Sequence, residues 1–134
     1  MSDRNELLLD DMIHKGLLYH VFQRIYALGN WRVLGYEILL RSVCTPTSES
    51  LFRLAMEQNK LYDLDCSSIY HAFISTKLLN IRLFVNVFPS TLIHPSFPDF
   101  LEKLDRVRFS TQTIVFEING AKLEGEGSLL RTAV

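Results

Sequence analysis

A chain of 134 residues, 48% hydrophobic and 22% charged, has the composition of an ordinary globular protein and the length of one domain or part of one. Its formal net charge of -1 argues against a broad surface for a nucleic-acid polymer but leaves room for a local anion site. No apolar run approaches the ~20 residues of a membrane span, residues 1–6 are polar with no signal peptide behind them, and Cys44 and Cys66 form no CxxC pair, so reduced thiols in the cytoplasm are expected.

Asp3 and Glu6 have the spacing of a capping box and predict a short helix through about His14 that stops at Gly16. Residues 18–26 and 32–41 read as strands, and Gly29-Asn30 between them is a hairpin signal, so this pair is expected to be antiparallel. Residues 48–60 read as a helix, with Leu51, Phe52, Ala55 and Met56 on one face. A second helix is expected to begin near Asp63 or Asp65 as its cap and to bury Ile69, Ala72 and Phe73. Residues 82–88 read as a strand closed by Pro89. Pro95 and Pro98 bracket a loop, with Pro98 in the first turn of a helix through about Leu104. A strand at 113–118 follows, and residues 121–133 predict a last helix weakened by Gly125 and Gly127.

From residue 32 onward strands and helices alternate, which implies parallel strands joined by crossovers and covered by helices. The fold class is therefore α/β. Four strands make either a small open sheet or the first half of an eight-stranded barrel, which usually needs ~250 residues. No internal repeat, linker or second domain is evident.

Three of these strands carry polar groups where apolar ones are expected. Side chains alternate along a strand, so Glu37, Leu39 and Arg41 share one face. The apolar run Leu83-Phe84-Val85-Asn86-Val87-Phe88 carries Asn86 at its centre, and the strand at 113–118 has Glu117. A charge in a core strand is costly unless it is paired or holds a metal or ligand. Three strands with one oxygen-bearing side chain each suggest three arms of one metal site. The four histidines, His14, His20, His71 and His94, share no metal spacing and read as structural or surface groups. Ser67-Ser68 lacks a G-x-S-x-G context, so a serine hydrolase is not indicated.

The same residues resemble a known family. Phe22-Gln23-Arg24-Ile25 resembles the opening Q-P-I segment of the EAL domain, the bacterial cyclic di-GMP phosphodiesterase. Residues 33–41, VLGYEILLR, resemble its V-x-G-x-E-A-L-L-R signature. Phe84-Val85-Asn86-Val87 and Ile114-Val115-Phe116-Glu117-Ile118 resemble its next two metal-bearing strands, so the resemblance covers about residues 18–120. It implies a partial TIM-like barrel with an antiparallel first strand and about four of eight strands present, with the whole chain as the N-terminal half of the domain. It also implies a site at the C-terminal ends of the parallel strands. There, one or two Mg²⁺ or Mn²⁺ ions would activate water for hydrolysis of cyclic di-GMP to linear pGpG. By the same resemblance Glu37, Asn86 and Glu117 are metal ligands, Arg41 holds a substrate phosphate, Gln23 lines the nucleotide site, and Leu39 shapes the pocket wall.

The family's catalytic set continues beyond its fourth strand with an Asp-Asp pair, a lysine, a glutamate and a glutamine, and none of these matches falls within residues 1–134. Arg24 stands in place of the family's proline, Phe88 in place of a small residue, and Gly120 in place of a second acidic residue. Two expectations follow. One is a phosphodiesterase fragment without turnover of its own. The other is a catalytically dead EAL-type module that binds cyclic di-GMP or a protein. The open half-barrel would leave Leu39, Phe84 and Val115 uncovered, so the chain is expected to form a homodimer, pack against a protein partner, or fold poorly.

Overall fold

The computed structural model describes residues 8–76, 79–107 and 113–118. In chain order they form α1 (Leu9–His14), β1 (Leu18–Tyr26), β2 (Val33–Ser42), α2 (Ser48–Glu57), α3 (Leu61–Ser75), β3 (Arg82–Val87), α4 (Pro89–Leu92), α5 (Phe97–Val107) and β4 (Thr113–Ile118). The sheet order is β1-β2-β3-β4. β1 pairs antiparallel to β2, while β2, β3 and β4 run parallel, as the alternating pattern requires. Among the described residues the sheet is unclosed, with β1 and β4 at its edges, which is the geometry of a partial TIM-like barrel. The capping pair Asp3 and Glu6 and the helix expected at 121–133 lie outside the described residues.

The hairpin forms where Gly29-Asn30 predicts it, but its loop is wider. Ala27 N–H donates to the Arg32 carbonyl at 2.8 Å, and Trp31 N–H donates to the Ala27 carbonyl at 3.0 Å. Gly29 takes φ +99°, and Trp31 takes φ +59°, a region bulky residues seldom occupy. Closing the loop this way starts β2 at Val33 instead of residue 32.

Several element boundaries differ from expectation for local reasons. α2 begins where the Thr47 hydroxyl accepts the Ser50 N–H at 3.0 Å. It ends at Glu57, short of residue 60, because Asn59 turns left-handed at φ +59°. Asn59 N–H then reaches the Met56 carbonyl at 3.1 Å, and Lys60 N–H reaches that of Ala55 at 2.7 Å, the two bonds of a Schellman stop. α3 begins immediately at Leu61 with no side-chain cap, so neither Asp63 nor Asp65 caps it. Asp63 lies in the first turn 3.8 Å from Lys60 Nζ, and Asp65 turns inward. Phe88, expected as the last residue of its strand, is instead the N-cap of α4, and Pro89 supplies that helix's first position. α5 has Pro98 in its first turn and runs to Val107, a turn past Leu104.

One face of the sheet carries the core. Ile38, Leu83, Val85 and Val87 pack against Ile69, Ala72 and Phe73 of α3 and Leu104 of α5. A second cluster joins Leu40 to Leu9 and Met12 of α1, Leu51 and Ala55 of α2, and Leu64 of α3. Full burial of one such side chain contributes about 1.5–3 kcal/mol. The opposite face presents Glu37, Leu39, Arg41, Phe84 and Asn86, all partly accessible. Gly35 lies in this row, and a Cβ there would meet the Arg82 carbonyl oxygen at 2.5 Å and Phe84 Cε1 at 2.8 Å. Only glycine lets β2 and the Phe84 ring approach so closely, which gives a physical reason for Gly35 within the VLGYEILLR run.

Candidate functional site

The alternation that buries Ile38, Leu40, Val85 and Val87 under the helices turns Glu37, Leu39, Arg41 and Asn86 to the other face. On β4 the apolar pair Ile114 and Phe116 joins the helix-side core, so Val115 and Glu117 share the face of Asn86. Asn86 Nδ2 donates to Glu37 Oε2 at 3.1 Å. Glu117 stands opposite Asn86 in the β3–β4 register and is only 6% exposed. Neighbouring strands lie ~4.8 Å apart, so the two carboxylates flank the amide across roughly 10 Å of backbone, within reach of long side chains.

The structure thus brings Glu37, Asn86 and Glu117 into one row across three strands. Among the described residues no three of His, Cys, Asp and Glu form a metal-binding group, since the central member of this row is an amide. Two carboxylates and an amide oxygen are hard donors of the kind that Mg²⁺ or Mn²⁺ takes. By donor chemistry the row fits such an ion.

Arg41 ends the row. Its Nη1 donates to Ser48 Oγ at 2.6 Å and to the Leu40 carbonyl at 3.1 Å. A cavity of about 230 Å³ at the C-terminal ends of β2 and β3 is lined by Leu39, Arg41, Asn86, Ser48, Phe52 and Ser68, among others. Phe52 and Phe88 meet edge to face at 5.0 Å and give this cavity an apolar wall. Gln23 faces Glu37 in the β1–β2 register but is exposed and does not line the cavity.

Ser48, Phe52 and Ser68 also line the cavity, and the sequence does not mark them as site residues. The first two follow from the start of α2, because Ser48 opens that helix and Phe52 lies four residues on, on the same face. Ser68 has no sequence signal. It enters through tertiary structure, where its hydroxyl meets His20 Nε2 at 3.0 Å. Burial holds the His20 pKa below its ordinary value, the His71 charge lowers it further, and the Ser68 backbone works against both.

Asp65 braces the cavity from behind. Its Oδ2 accepts the Phe88 N–H at 3.2 Å and the Thr91 hydroxyl at 2.7 Å, so a carboxylate on α3 caps α4. Next to it, burial pushes the Cys66 thiol up to about 11, against a lowering hydrogen bond from Tyr62 and with the Asp65 charge adding to the rise. Such a thiol is inert near neutral pH.

No family model matches the sequence, and no curated protein matches it. Solved structures do match the fold. The EAL domain of Xanthomonas citri FimX, crystallised in complex with c-diGMP, superposes with a TM-score of 0.63 at 15% identity, over 81% of this chain and 47% of that one. Klebsiella pneumoniae BlrP1, solved with FMN and cyclic diGMP and no metal ions, superposes with a TM-score of 0.54 at 23% identity, over 75% of this chain and 28% of that one. The chain therefore spans less than half the length of either structure. Its fold is that of part of an EAL domain, as the four strand motifs predict.

Proposed function

We propose that this chain forms the N-terminal half of an EAL-type site for cyclic di-GMP. The observation that carries this reading is the Asn86–Glu37 contact of 3.1 Å, with Glu117 in register beside it and the Arg41 cavity at the strand ends. Support comes from the shared fold with a domain crystallised around c-diGMP. In this reading Glu37, Asn86 and Glu117 hold Mg²⁺ or Mn²⁺, which when bound supplies positive charge at a phosphodiester and a more acidic water. Arg41, steadied by Ser48, presents its guanidinium fork to a phosphate oxygen. Leu39 and Phe52 exclude water from the base or ribose beside it, and Gln23 stands at the rim. Hydrolysis to pGpG belongs to a complete domain of this type, while this chain contributes recognition.

A calorimetric titration with cyclic di-GMP in Ca²⁺ tests the reading, because Ca²⁺ accepts the same oxygen ligands. The expected result is metal-dependent binding that Glu37→Ala abolishes and Arg41→Gln weakens by about tenfold or more, the value of a charged hydrogen bond. Binding that ignores both substitutions, or absence of binding, would overturn it.

A further inference from the structure

The opposite end of the same face carries a second site of inverted charge. β3 starts with Arg82 and β4 with Thr113, and these two are register partners, so both project from the face that carries Asn86 four residues later. Four residues of strand place them ~13 Å from the Asn86 row. Arg82, Thr113, Asn80, Arg32 and Asn30 line an open cleft of about 390 Å³ beneath the β1–β2 hairpin. Every one of these side chains can donate a hydrogen bond, and among the described residues no carboxylate lines the cleft. The ion pairs among the described residues use Lys60 and Arg106, and neither Arg32 nor Arg82 joins one. Asn30 is already oriented: its Oδ1 accepts the Arg32 N–H at 3.0 Å, which leaves Nδ2 as the free donor.

Among the described residues these two guanidinium groups have no ion-pair partner. Their planar forks match the oxygens of a tetrahedral oxyanion. We propose that this cleft binds a phosphate group, presented free or as a lipid headgroup. The hairpin above it bears on the source. Leu28 is 88% exposed and Trp31 68% exposed, and Tyr26 meets Trp31 edge to face at 6.1 Å. Aromatic and aliphatic side chains beside arginines are the combination that settles at an anionic lipid interface.

The test uses the whole chain in two arms. One is calorimetric titration with inorganic phosphate at constant ionic strength. The other is co-sedimentation with phosphatidylcholine vesicles, with and without phosphatidylglycerol. Trp31 is the sole tryptophan, so its emission reports directly on the hairpin in both arms. Binding is expected in at least one arm, about tenfold or more weaker in Arg82→Gln and in Arg32→Gln, and unchanged in Arg106→Gln, which removes an equal charge from an exposed helix site. A blue shift of Trp31 with anionic vesicles alone assigns the phosphate to a headgroup, and saturable phosphate binding without that shift assigns it to a soluble ligand. Absence of binding in both arms, or equal loss in Arg106→Gln, overturns the proposal. Glu37→Ala leaves this binding intact, so failure here and failure of the cyclic di-GMP reading are separately visible.

Discussion

The two faces of the sheet follow opposite rules. On the helix side Leu83 is 0% and Val87 1% exposed, and every inward side chain of β3 is apolar. On the other face, one residue along the same strands, stand Glu37, Arg41 and Asn86, each partly accessible. Alternation lets one strand carry both sets at once, because a period of two keeps the apolar core residues and the polar residues on separate sides. Stability and function should therefore separate cleanly on mutation.

The largest expected effect tests that separation directly. Leu83→Ala should lower unfolding stability by about 3 kcal/mol or more, through lost burial and the cavity left behind. Leu39→Ala, on the accessible face, should cost about 1 kcal/mol or less and, on the reading proposed above, weaken cyclic di-GMP binding. Urea midpoints at unchanged slope, compared for the two variants, decide it. Equal losses would mean that both faces are core, and the division of labour argued above would be lost.

The same division explains how much of the fold was legible in the sequence. The four strands and their order follow from apolar runs broken by turn residues, which are local signals. The row of Glu37, Asn86 and Glu117 was legible in part: alternation fixes each residue's face within its own strand, while their meeting across three strands depends on the register and was expected from the family resemblance. The misread features depend on partners distant in the chain or on unusual local choices. Asp65 looks like a helix cap for α3, but its partners, Phe88 and Thr91, lie more than twenty residues ahead and belong to α4. α2 stops at Asn59 because an asparagine, where glycine is commoner, takes the left-handed position. The four residues of α4 are too few to show a period. Arg41's partner Ser48 and His20's partner Ser68 become visible only when the strands and helices are assembled.

Asp65 supplies the next test, because it joins the helix layer to the rim of the cavity. Asp65→Ala leaves the Phe88 N–H and the Thr91 hydroxyl without their carboxylate. With both groups buried, the expected cost is about 2 kcal/mol, the penalty of unpaired donors in a core. Thr91→Val removes only the hydroxyl partner and should cost less. If the two variants were equally destabilised, the backbone bond to Phe88 would carry no weight, and the capping role of Asp65 would be wrong.

The smallest effect lies where the two faces meet. His20 stands opposite Leu40 in the β1–β2 register, on the helix side, and its ring touches Ser68, which lines the cavity. Burial comes first among the causes that hold its pKa below 6.5, with the His71 charge second. In the unfolded chain the ring takes up a proton near pH 6.5. In the folded chain it does so only at lower pH, so below 6.5 the unfolded state binds more protons and stability rises with pH. Above 6.5 both states are neutral at this ring, and its contribution is constant. His20→Gln should therefore flatten part of the stability loss between neutral and mildly acid pH, while changing little above pH 7. His71→Gln should flatten it partly, by removing the neighbouring charge. Urea midpoints measured across this range test the assignment. An acid-side slope identical in wild type and His20→Gln would show that the ring is free to protonate in the fold, and that burial and the His71 charge do not hold it neutral behind the cavity.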